Sequence, residues 1–455
     1  MTFETDSMAW LEEAVERLAE GFAGLPAWRP AAGHAERSRA VLAEAALRLQ
    51  DNFPYFHPLY AGQMLKTPHP VARAAYTLAT WINPNNHARD GGRASSRMEI
   101  EAVAEIAHMF GWTKHLGHLT SGGTFANLEA LWVAGQLEPH KTILASEQAH
   151  YTHARISAVL RLPFEPVPAD THGRLSMPHL EQRLQRGDVS TVVATLGTTA
   201  LGAIDPLPEI LALRERYGFR LHVDAAYGGY FGLTATLGGD ARAAFDVVGD
   251  ADSVVIDPHK HGLQPYGCGC ILFRDPSVGR FYKHDSPYTY FTSQDLHLGE
   301  ISLECSRAGA SAVALWATQR LLPLMRGGEF AAMLEDCRAA ALDLHQRLSA
   351  ADAFVAPIPP ELDIVVWAVR GASVAESSER ARKIFDAAAR RDLHLALVQL
   401  PVAMFPGVWP EAPEADTVTC LRSVLMKPEH RAWMDQIWQR LSAAAQEILP
   451  SSSTK

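Results

Sequence analysis

The chain has 455 residues, 47% hydrophobic and 20% charged, with a formal net charge of −10. This is the make-up of an ordinary globular protein, too long for one simple core, so two or three subdomains are expected. The acidic balance argues against nucleic acid, which demands clustered Lys and Arg, and no run of about 18 uncharged apolar residues is present to span a membrane.

Residues Met1 to Leu18 are acidic, with Leu11, Val15 and Leu18 at helical spacing, and lack the basic start and apolar run of a secretory signal. The five cysteines (268, 270, 305, 337 and 420) are scattered, which suits a reducing cytoplasm rather than a disulfide framework. Cys268-Gly-Cys270 offers two ligands where a structural metal needs four, so buried strand thiols are expected and no metal is assigned.

Helices are expected over 8–22 and 35–50, separated by a Pro/Gly-rich break and read as an arm that packs on a neighbour. An aromatic, irregular stretch follows from Phe53. A helix is then expected over 71–82, a polar loop over 83–96, and a helix over 97–110 capped by Ser95 or Ser96. From about 112 to 275 the chain alternates apolar, β-branched runs (141–145, 191–196, 220–223, 253–256, 270–273) with helical ones (125–137, 153–160, 179–186, 207–217). That alternation predicts an α/β fold with a mainly parallel sheet covered on both faces. A long helix from Ala310 to about Met325 leads into a smaller α+β region, with strands over 363–369 and 417–425 and helices over 329–349, 376–391 and 428–448. The expected division is an arm over 1–75, a large domain over 76–320 and a small domain over 321–455.

The chemistry gathers where strands are expected to end. The run Val254 to Ile256 stops before Pro258, whose preceding residue favours extended backbone, and delivers Lys260 beyond the strand's C-terminal edge. Open α/β sheets bind ligands there, and a lysine shielded from water can form a Schiff base. Ser121-Gly122-Gly123-Thr124 opens a helix, so free N–H groups and two hydroxyls make a phosphate seat. His150 follows a second strand and can stack on a flat ring. Thr198 and Thr199 follow a third. Asp224 ends a fourth, with Ala225 and Ala226 small enough for a planar ligand to approach. Together these describe a site for pyridoxal 5′-phosphate. Asp224 keeps the ring nitrogen protonated, His150 and Ala226 take its two faces, Gly123 and Thr124 take the phosphate, and Lys260 binds the aldehyde.

In combination and in order, several motifs resemble the group II pyridoxal-dependent decarboxylases, the family of aromatic-amino-acid, glutamate and diaminobutyrate decarboxylases. These are His57-Pro58, Thr-Ser-Gly-Gly-Thr-x-Ala-Asn, Gln-Ala-His150-Tyr, Thr-Leu-Gly-Thr-Thr199, His-Val-Asp224-Ala-Ala-Tyr-Gly-Gly and Asp-Pro-His259-Lys260. The resemblance covers roughly residues 50 to 320. It implies an aspartate-aminotransferase-like fold with a seven-stranded large sheet. It also implies a cytoplasmic homodimer, with sites at the subunit interface and the N-terminal segment wrapping the partner. It further implies His259 near the phosphate or the lysine, Thr199 near the ring's phenolic oxygen, and Gln63, just after His57, in a substrate pocket. Two departures stand out. Many relatives carry Asn where this chain has Asp257, and an ionised Asp there would repel a phosphate. The tyrosine that relatives offer to the intermediate corresponds to Tyr288, to Tyr290 or to neither.

The expected reaction is decarboxylation of an L-amino acid, aromatic or apolar by the rings at Tyr55, Phe56, Tyr60, Trp81, Tyr288 and Tyr290. The substrate's carboxylate is held perpendicular to the ring, and Tyr288, Tyr290 or Lys260 returns the proton. Arg307 is the better candidate anion anchor and Arg422 the weaker, although a structural salt bridge suits both. Oxidative deamination to an aldehyde, transamination, carbon–carbon lysis and a non-catalytic cofactor-binding role remain the alternatives.

Overall fold

The computed structural model describes residues 3–28, 33–87, 90–283, 301–409 and 415–449. Helices α1 (Asp6–Glu20), α2 (Ala35–Leu49), α3 (Pro70–Thr80) and α4 (Arg93–Met109) precede the first strand. Helix α4 starts one turn earlier than its sequence signal. Gly92 is the N-cap, and Ser95 and Ser96 lie buried inside the first turn rather than capping it, the Ser95 hydroxyl donating to Asn86 Oδ1. Helix α2 buries no residue, and Val41, Leu42, Leu47 and Leu49 stand exposed on it. Exposed apolar side chains gain nothing from burial, so α2 lacks a packing partner among the described residues.

The succeeding elements alternate: β1 (Leu116–Thr120), α5 (Gly123–Leu137), β2 (Thr142–Ser146), α6 (Thr152–Leu160), β3 (Phe164–Val167), α7 (Met177–Leu184), β4 (Val189–Thr195), α8 (Leu207–Tyr217), β5 (Arg220–Asp224), α9 (Gly239–Asp246), β6 (Ser253–Ile256), β7 (Gly269–Phe273) and α10 (Gly279–Tyr282). Seven strands form one sheet in the order β1-β7-β6-β5-β4-β2-β3. Only β7 runs against its neighbours; the others share one direction. Every residue of β2, β4, β6 and β7 is buried, as sheets with helices on both faces require. Helix α5 (GTFANLEALWVAGQL) is apolar around nearly its whole circumference and is correspondingly buried against β7 and α6.

Two strands of this sheet lack a clear sequence signal. β1 contains Gly117 and His118. A Cβ on Gly117 would lie 2.5 Å from Leu272 Cδ2 and 2.8 Å from Ile271 O, so only glycine permits the close approach of β7. β3 carries Pro166, which an edge strand tolerates.

Helices α11 (Gly309–Leu321) and α12 (Glu329–Ala350) lead to β8 (Phe354–Val355), β9 (Ile364–Val369), α13 (Val374–Ala389), β10 (Ala396–Pro401), β11 (Thr417–Val424) and α14 (His430–Ile448). Here a four-stranded antiparallel sheet, ordered β10-β11-β9-β8, packs its apolar face, including the fully buried Trp367, against α12, α13 and α14. Among the described residues no helix is long and apolar enough to cross a membrane.

Candidate active site

The shared strand direction brings five loops to one edge of the large sheet: those after β1, β2, β4, β5 and β6. They enclose a cavity of about 450 Å³. Ser121, Gly123, Thr124, His150, Thr199, Asp224, Ala226, His259 and Lys260, spread over 140 positions of sequence, all line it. Asn127, Thr195, Tyr151, Tyr227 and Asp257 line it too.

Lys260 sits in the turn after β6, where its N–H donates to Asp257 O (2.9 Å). Its Nζ lies 3.1 Å from Asp257 Oδ2. The next residue, His261, is buried with Nε2 at 3.2 Å from Asp363 Oδ2, and Asp363 Oδ1 accepts from Tyr227 Oη at 2.6 Å. Asp363 immediately precedes β9, so a buried carboxylate of the smaller sheet joins the lysine loop to the cavity wall at Tyr227.

Asp224 is 5% exposed and accepts three hydrogen bonds: from His153 Nε2 (2.9 Å), Asn127 Nδ2 (3.2 Å) and the Ala226 N–H (3.1 Å). Burial pushes its pKa up. The bond from His153 and the charges of His153 and Lys260 outweigh that, holding the carboxyl well below the usual carboxylate range. Behind it runs an ordered polar chain. His222 Nε2–H donates to Asn127 Oδ1 (2.8 Å), and His222 Nδ1 accepts a hydrogen bond from the Ser253 hydroxyl (2.9 Å). Burial, and next the neighbouring His153, push His222 down to about 3, so this ring is neutral at physiological pH and its tautomer follows from its two partners. His153 and Asn127 carry no strand-end signal. His153 was legible only as the residue one turn after His150 on the same helix start.

His150 Nδ1 accepts from Thr152, so the Nε2 edge carries the proton, and the ring tilts against Tyr151 with centroids 4.4 Å apart. Burial lowers its pKa. At the opposite end, Ser121 to Thr124 enter α5. A Cβ on Gly123 would fall 2.6 Å from Asp257 Oδ2, so any larger residue would have to displace that carboxylate. His259 Nδ1 donates to Cys268 O (2.8 Å), and Tyr266 packs on its ring with centroids 4.9 Å apart. Cys268 and Cys270 are buried thiols with raised pKa.

Three expected substrate contacts fall elsewhere. Arg307 does not face the cavity. Its guanidinium pairs with buried Glu99 (2.7 Å) and donates to Leu119 O (2.6 Å), bracing the loop that opens α4 against the end of β1. A buried arginine so paired is a structural tie rather than an anion anchor. His57 accepts the Leu59 N–H and packs edge-on to Trp433 (4.8 Å), away from the lining. Gln63 meets the site only through Arg422, 3.5 Å from its Oε1. Arg422 in turn is no salt-bridge residue: among the described residues its partners are carbonyls, chiefly Thr199 O (2.6 Å) and Ala200 O (3.1 Å), which hold the Thr199 loop in place. Tyr288 and Tyr290 lie outside the described residues.

The cavity's chemistry fits pyridoxal phosphate: an amine, an ionised buried carboxylate with small residues beside it, N–H groups at a helix start, and a buried Thr195 hydroxyl with no partner among the described residues. The fold defines the class. The crystal structure of mouse CSAD matches with a TM-score of 0.79 and 22% identity, covering 96% of this chain and 92% of that one. Within that class, the model of the pyridoxal-dependent decarboxylase conserved domain matches residues 129–370, more than half of the chain. The protein belongs to that family, and its cofactor is pyridoxal 5′-phosphate. An L-tyrosine decarboxylase of Enterococcus faecium is 28% identical over 386 residues, 62% of this chain and 63% of its own. An L-aspartate decarboxylase of Thermococcus kodakarensis is 28% identical over 282 residues, 61% and 71% respectively. The chain thus spans less than two thirds of the length of the tyrosine decarboxylase it matches.

Proposed function

We propose that the chain decarboxylates an L-amino acid to its amine and carbon dioxide. The observation that carries this reading is the convergence of the Lys260 amine, the buried Asp224 carboxylate and the start of α5 on one cavity. When bound, the cofactor supplies an aldehyde with which an amine condenses, and a ring that accepts the electron pair of the bond broken at the substrate's α-carbon. Asp224 holds a proton on the ring nitrogen, kept ionised for that task by His153, Asn127 and the Ala226 N–H. His150 and Ala226 bound the slot in which a flat ring lies. Ser121, Gly123 and Thr124 present donors to the phosphate, with His259 beside them. Lys260 is the tethering amine, and its Nζ can return a proton to the α-carbon; Tyr288 and Tyr290 are the other candidates for that transfer.

We assign an aromatic or apolar substrate, with L-tyrosine the first to test and L-aspartate the second. Phe125 and Tyr151 join the lining, which favours an aromatic side chain, and among the described lining residues Lys260 is the one Lys or Arg. The uncovered apolar residues of α2, with Trp28 81% exposed in the segment before it, fit a second copy of the chain, so we take the enzyme as a homodimer with sites near the interface. The free thiols suit the cytoplasm. The test is to incubate the protein with single amino acids and identify the products. Amine and carbon dioxide are expected, with turnover abolished by Lys260→Ala. A keto acid, or an aldehyde with ammonia and peroxide, overturns the assignment, as does a borohydride label mapping away from Lys260.

A further inference from the structure

A cavity meant for a phosphate should not carry a surplus of carboxylates. Among the lining residues Asp224, Asp257 and Lys260 are the charged ones, two acids against one amine. Asp224 is committed to His153 and Asn127. Asp257 is 2% exposed and lies at the phosphate end, flush with the first turn of α5: its two carboxylate oxygens would be 2.6 and 2.9 Å from a Cβ on Gly123. Its Oδ2 is 3.1 Å from Lys260 Nζ and 3.6 Å from His259 Nε2, while Oδ1 has no hydrogen-bond partner among the described residues. The helix start that attracts an anion is therefore already faced by one. The nearest amine is paired with that same carboxylate, and burial lowers the pKa of His259. No Arg and no further Lys lines the cavity among the described residues to compensate.

We propose that Asp257 sets how tightly this chain holds its cofactor, opposing the phosphate's charge so that the cofactor is retained less firmly than it would be beside a neutral amide. The inference rests on the reading of the cavity as the pyridoxal phosphate site. Like charges at close range in a partly desolvated site repel strongly, and removing one charge without changing side-chain shape should relieve most of that repulsion.

The test uses the full-length chain and the isosteric Asp257→Asn, with Asp257→Ser as a second carboxylate-free variant. Dissociation constants are read by equilibrium dialysis and by absorbance of the bound cofactor, for pyridoxal phosphate and for pyridoxal, which keeps the aldehyde and ring but lacks the phosphate. Both variants should bind pyridoxal phosphate about 10-fold or more tighter and release it more slowly on dialysis. Pyridoxal affinity should stay within about twofold, and inorganic phosphate should compete more effectively against the variants. If wild type takes up pyridoxal phosphate but neither variant binds it more tightly, the inference falls alone. It falls equally if pyridoxal gains as much, since the effect then runs through Lys260. A wild-type chain that takes up no pyridoxal phosphate overturns the reading of the cavity as well.

Discussion

Asp224→Asn is the sharpest perturbation of the site, because it keeps volume and removes charge where three donors converge. His153 Nε2 and Asn127 Nδ2 both point at Oδ2, and the Ala226 N–H points at Oδ1. An amide offers only one oxygen, so at least one of these buried donors must face an NH2 group. Rotating Asn127 to help would break its bond with His222 Nε2 (2.8 Å). One or two stranded donors at roughly 1–3 kcal/mol each give a loss of about 1–6 kcal/mol. For a chain of 455 residues the unfolding entropy is on the order of 1 kcal/mol per degree, so Tm should fall by about 1–6 °C. Turnover should fall further, by about 100- to 1000-fold, the usual loss when a preorganised electrostatic group is taken from a reacting centre. Scanning fluorimetry gives the first number, carbon dioxide release the second, and cofactor absorbance shows whether the variant is loaded. A loaded variant retaining more than a tenth of wild-type turnover would refute the role given to Asp224, and an unchanged Tm would refute the hydrogen-bond accounting.

Two other outcomes concern buried polar groups: His222, His430 at the start of α14, and the Tyr227–Asp363 pair. Burial holds His222 and His430 neutral down to about 3. Their unfolded-state pKa is near 6.5, so the stability they contribute is present above that value and is lost as pH falls from about 6.5 toward 3. Tm should decline over this range, with a shallower slope in His430→Asn; an identical slope counts against the assignment for that residue. Tyr227→Phe removes the donor to Asp363 Oδ1 inside the lysine-loop clamp. It should cost about 1–3 kcal/mol, a Tm drop of a degree or more, and a wild-type Tm would show that the clamp does not bind the two sheets together.

Most of the chemistry-bearing residues were legible because they follow short apolar strands, while Ser121, Gly123 and Thr124 were legible as a glycine-bearing helix start; strands running one way bring their trailing loops together. All nine residues expected around the cofactor line the cavity for that reason. The elements missed were those whose local signal is contradicted by a distant partner. In β1, Gly117 is there for the close approach of β7, and His118 is buried against Glu129 (2.8 Å) rather than exposed. For Arg307 the salt bridge rather than the anion anchor holds, with a partner, Glu99, that lies 208 residues earlier and so could not be named from the sequence. Asn127 and His153 looked like ordinary helix residues until β5 brought Asp224 beneath them.

Local apolar runs and turn residues, being short-range physics, sufficed to read the α/β class, the ends of β2, β4, β5 and β6, and Lys260 as the candidate lysine. The donors that keep Asp224 ionised, the partners that tie Arg307 and Arg422 into the fold, and the pairing of Asp257 with Lys260 Nζ were decided only in three dimensions. Charge and hydrogen-bond energies depend on distance and burial, and neither is a property of position along the chain.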